Sequence, residues 1–162
     1  FAWDGIRHLR DPEAGGIFAG ITFGVHEFGH LLFGFFGEFM TIAGGSLNQL
    51  LIPIATGMVL YHYRDFFGIA GAGVWLASSL MDLGRYIGDA TQFNLDLVGF
   101  GEDAQHDWAW LLGRTGALGH ASQLEAIVRG TGAVVLLASL VFGVWLCAKM
   151  WTARGSTDPR AS

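Results

Sequence analysis

His26 and His30, with Glu27 between them, form the grouping whose types and spacing best fit a metal-assisted reaction. They stand in Val25-His26-Glu27-Phe28-Gly29-His30-Leu31, inside an apolar, glycine-rich run over residues 17–37. In a helix, residues four apart share a face, so both imidazoles can converge on one ion. Glu27 then sits where it can take a proton from water bound to that ion. Two histidines and a carboxylate among Phe, Ile, Leu and Gly are costly to desolvate unless something binds them. A histidine satisfied by ordinary hydrogen bonds is the plainer alternative, and it becomes harder to sustain for the full motif at membrane depth.

A catalytic zinc site needs three protein ligands and an open position. Candidates for the third are Asp82, Asp89 and His106. Depth along parallel helices separates them. At 1.5 Å per residue, His30 lies roughly 20 Å from the start of its span, and Asp82 roughly 24 Å from the start of its own. Asp89 would lie roughly 35 Å along, at the far surface or beyond it. His106 reaches the pair only if its segment folds back into the bundle; with Asp107 it could equally be a solvated pair on an interfacial helix. Asp82 is therefore the expected ligand, with Asp89 and His106 in reserve. Asn48 and Gln49, near the start of the next span, can glue helices together or hold a substrate backbone.

These residues need helices to carry them. Of 162 residues, 52% are apolar and 14% charged, where a soluble domain usually carries about a quarter charged. That depletion implies an all-α integral membrane protein. About four transmembrane helices are expected, over residues 17–37, 46–63, 66–88 and 130–150, in a single domain. Residues 38–45 read as a loop, with Ser46 as a cap. Pro53 falls inside the second span and should free a carbonyl. The 91–128 segment reads as extramembrane and acidic, with a short amphipathic helix around Trp108 and Trp110. Gly20 and Gly24 are spaced for close helix approach. The net charge of −5 offers no basic patch for nucleic acid, and the lone Cys147 excludes an intrachain disulfide or a thiolate zinc cluster. Four spans would put both termini on the side richer in Lys and Arg, hence cytoplasmic, in a bacterial inner membrane.

His26-Glu27-Phe28-Gly29-His30 resembles the signature of the site-2 proteases, intramembrane zinc metalloproteases. Met81-Asp82-Leu83-Gly84 is similar in position to that family's Leu-Asp-Gly, and the likeness spans roughly residues 17–90. The resemblance implies Zn²⁺ on His26, His30 and Asp82, Glu27 as base, and a membrane-embedded helix as substrate. Gly29, Gly34 and Gly37 would leave room for that helix. The family's Asn-Pro ahead of the Asp is replaced here by Ser78-Ser79-Leu80, and no PDZ-like domain is visible. A rival expectation is a non-catalytic accessory subunit of a larger membrane complex, respiratory or photosynthetic, in which any metal is a clasp. Partners are then neighbouring membrane subunits and lipid. Haem fits poorly, because its axial histidines come from opposing helices; copper or iron fits a two-His, one-carboxylate set.

Overall fold

The computed structural model describes residues 18–95 and 106–155, and these are helical with short connections. Among the described residues five α-helices follow one another: α1 Ala19–Phe33, α2 Glu38–His62, α3 Phe66–Asp89, α4 Asp107–Thr115 and α5 Ala121–Gly155. Single 3-10 turns precede α2 and α5. Local chemistry sets the boundaries. Gly37, at φ 92°, turns the chain into α2, a backbone angle that suits a residue without Cβ. The Asp65 carboxylate accepts from the Gly68 amide at 2.8 Å and caps α3. His106 caps α4, its Nδ1 accepting from the Ala109 amide, and left-handed Gly116 ends that helix.

Successive long helices run antiparallel. Asn48 on α2 donates to the Val25 carbonyl on α1, and Gln49 on α2 donates to the Ser79 carbonyl on α3. On the other side of α3, Gly84 and Gly88 lie against Arg129 and Glu125 of α5, so tightly that a Cβ at either glycine would collide with them. Toward the opposite end of the bundle, Gly73 lies against Ser139 and Ala70 against Gly143. One core cluster joins Leu83, Ile87 and Ala90 of α3 and its exit to Leu112 and Ala121. A second joins Val74 and Ala77 to Leu136. Small residues let these backbones approach, which drives helix association where lipid removes the hydrophobic incentive.

Among the described residues three helical stretches, not the expected four, are long and apolar enough to cross a membrane: Glu38–His62, Phe66–Asp89 and Leu118–Ala153. The described part of α1 has 15 residues, against the roughly 20 a span needs. The last stretch shows why a bilayer suits it. Val134, Leu137, Val141 and Val144 are each more than 60% exposed and follow a helical period, a stripe too apolar for water. Residues 38–45 are helix rather than loop, so α2 starts eight residues earlier than expected and runs through Pro53 unbroken. Ser46 is therefore inside α2, not its cap. Within the 91–128 segment, α4 forms over Asp107–Thr115 and α5 begins at Ala121. Gly20 and Gly24 have open space among the described residues; the close approaches are made by Gly29 with Gly44, and by Gly84 and Gly88.

Candidate metal centre

Both histidines of α1 are oriented by their Nδ1 atoms. His26 Nδ1 is 3.0 Å from Gln49 Oε1. The other end of that amide faces the Ser79 carbonyl at 3.1 Å. A carbonyl only accepts, so the amide nitrogen must face Ser79 and the amide oxygen must face His26, whose Nδ1 therefore donates. His30 Nδ1 donates to the Thr41 carbonyl at 2.9 Å. In neutral rings this leaves both Nε2 atoms as lone pairs. An acceptor for Nδ1–H in the surrounding shell is the usual way to fix a metal-binding tautomer.

Those two Nε2 atoms meet a carboxylate. Asp107 Oδ2 is 3.1 Å from His26 Nε2 and 3.4 Å from His30 Nε2. Two lone pairs and an anionic oxygen repel unless positive charge lies between them, as ring protons or as a cation. Ligands held at about 2.0–2.1 Å around a tetrahedral ion stand about 3.3 Å apart, which matches both separations. Glu27 completes the group: it offers a carboxylate oxygen within 4.8 Å of ligand atoms on both histidines, and no hydrogen bond holds it among the described residues. His26, Glu27 and His30 are thus brought together as their spacing implies, and can hold a metal ion.

Asp107 belongs to α4, which is pinned against the bundle from several sides. Its backbone amide donates to Tyr86 Oη on α3 at 3.0 Å. The neighbouring Trp108 indole donates to Ser46 Oγ on α2 at 3.0 Å. Burial alone would push the Asp107 carboxyl up; contacts with His26 and His30, whose rings carry the Nε2 proton when no cation lies between, outweigh it and hold the group below the usual carboxylate value.

The other expected ligands lie elsewhere. Asp82 is half-buried on α3; the aspartate whose carboxylate meets the histidine pair is Asp107. The α3 side chain beside His26 is Tyr86, one turn further on, with ring centroids 6.2 Å apart. Asp89 closes the turn after α3 by accepting from the Asn94 and Leu95 amides. It also lies 3.4 Å from His106 Nε2. His106 is buried, which pushes its imidazole down, and its Nδ1 is taken by the cap of α4. Asn48 and Gln49 are both buried and spend their amides on Val25, His26 and Ser79. They brace the site from within. Asp107 was missed as the neighbour of the histidine pair because its place depends on α4 folding back; the pairing of His106 with Asp107 just before an aromatic helix was the available signal.

Gly45 forms the floor. A Cβ there would fall 2.6 Å from both His26 Nε2 and His30 Nε2. Gly45→Ala should therefore push the rings off their shared focus and lower metal affinity by about 10- to 100-fold, the range for lost support around a ligand. Competition with a chromogenic chelator measures it, and unchanged affinity would mean that the ion does not bind on the Nε2 side.

Searches against family models, curated proteins and solved structures found no match.

Proposed function

We propose that this chain is a membrane-embedded, zinc-dependent peptidase in which His26, His30 and Asp107 hold the ion and Glu27 is the base. The observation that carries this reading is the Asp107 carboxylate set between two imidazole nitrogens whose protons are committed elsewhere. Bound there, zinc would lower the pKa of a water to about 7. Glu27 takes the proton from that water and returns it to the leaving nitrogen. Gln49, Thr41 and Ser79 keep the rings in the tautomer that binds.

The substrate class follows from what borders Glu27. Gly20 and Gly24 stand two turns and one turn before it on the same helical face, with open space beside them among the described residues. Phe23, Phe28 and Leu31 flank that face and are exposed. A second apolar helix can lie close to the base there, so the substrate is a membrane-embedded segment of another protein. Arg64 and Lys149 lie at one end of the antiparallel bundle, while Arg85, Arg114 and Arg129 lie toward the other with Glu38, Asp107 and Glu125. The site lies toward the second end.

The test is metal removal. Purified protein reconstituted with a quenched fluorescent single-span peptide should cleave it, lose activity on dialysis against a chelator, and regain it with one equivalent of Zn²⁺ per chain. Protein that carries stoichiometric metal yet never cleaves such a peptide would support instead a structural clasp in a larger membrane assembly.

A further inference from the structure

Amide hydrolysis places negative charge on the carbonyl oxygen of the substrate, and a donor fixed nearby lowers the barrier. Among the residues around the histidine pair, Tyr86 carries a hydroxyl whose donor capacity is unspent. Its Oη accepts from the Asp107 amide at 3.0 Å; among the described residues no acceptor takes its own proton. The ring is held on two sides. It stacks on His106 with centroids 4.4 Å apart at 24°, and stands edge-on to His26 at 6.2 Å and 69°. The accepted N–H belongs to the same residue whose carboxylate touches both histidines, so the hydroxyl is tied to Asp107 beside the histidine pair. Accepting one hydrogen bond also polarises the O–H and strengthens it as a donor.

We propose that Tyr86 Oη donates a hydrogen bond to the carbonyl oxygen of the scissile amide as charge builds there, a role that rests on the peptidase reading above. In that step the water oxygen bonds to the carbonyl carbon, Glu27 takes the proton and hands it to the amide nitrogen, and the carbon–nitrogen bond breaks. Tyr86 keeps its proton throughout. The role is distinct from that of Glu27, because the hydroxyl contributes through charge stabilisation alone.

The test uses cobalt-loaded protein in detergent and acetohydroxamate, an anion whose paired oxygens stand in for the amide carbonyl and the attacking water. Its binding is followed by the visible absorption of cobalt. Tyr86→Phe keeps the stacked ring and removes the hydroxyl. Cobalt stoichiometry should be unchanged, and acetohydroxamate affinity should fall about 10- to 100-fold, the scale of a hydrogen bond to a charged group. Equal hydroxamate affinity in the two proteins would overturn the inference. Loss of cobalt from Tyr86→Phe would also overturn it, by making the hydroxyl a prop for Asp107 only. A wild type that takes up no cobalt removes the metal reading itself, which is a different failure and is seen before any hydroxamate is added.

Discussion

Glu27→Gln should leave the ion in place and reduce peptide cleavage by about 10²- to 10⁴-fold, the usual contribution of a positioned general base. The separation of effects follows from the geometry. His26 and His30 are fixed by Gln49 and Thr41, and their Nε2 atoms face Asp107; none of these contacts involves the Glu27 side chain. Glutamine matches glutamate in size and fits the same half-buried position, but its amide cannot accept the proton. Metal content per chain and reporter cleavage, measured on one preparation, check both halves. Cleavage at the wild-type rate would remove Glu27 as the base, and loss of the ion would make it a ligand instead.

Asp107→Ala should have the larger effect on metal content. It removes the carboxylate that touches both imidazoles and takes away the negative charge that offsets a dication. Affinity should fall by more than the roughly 10- to 100-fold typical of residues that only support ligands. Asp82→Ala provides the contrast, because Asp82 is the aspartate that spacing alone favours. The structure's contacts predict that zinc stays bound in Asp82→Ala and is lost from Asp107→Ala. The reverse result would return the third position to α3 and leave the Asp107 contacts as ordinary ion pairs.

These two aspartates also show how far the chain can be read without coordinates. The four-residue repeat of His26 and His30 is a local property of one helix, so their convergence could be read directly. The helical class was equally legible, because long uncharged stretches admit few other structures in a membrane. Depth matching placed Asp82 near the histidines because it compares distances along helix axes. It carries no information about rotation, and none about a segment that returns to the bundle. Asp107 arrives by such a return, held by Tyr86 and Ser46 through partners 21 and 62 residues away in sequence. The start of the second span was misplaced for a related reason. Residues 38–45 resemble a loop by glycine content, yet Gly44 and Gly45 are buried within α2, where their lack of a side chain admits Gly29 of α1 and the two imidazoles.

His26 and Asp107 are 81 residues apart in the chain, so an ion gripped by both would act as a cross-link as well as a reagent. Closing so long a loop removes much of the freedom available to a partly opened chain, by the same reasoning that makes long-range disulfides effective. During synthesis this clasp cannot form until Asp107 has emerged and α4 has docked. A truncated product ending after α3 would then leave His26 and His30 without the carboxylate that meets them.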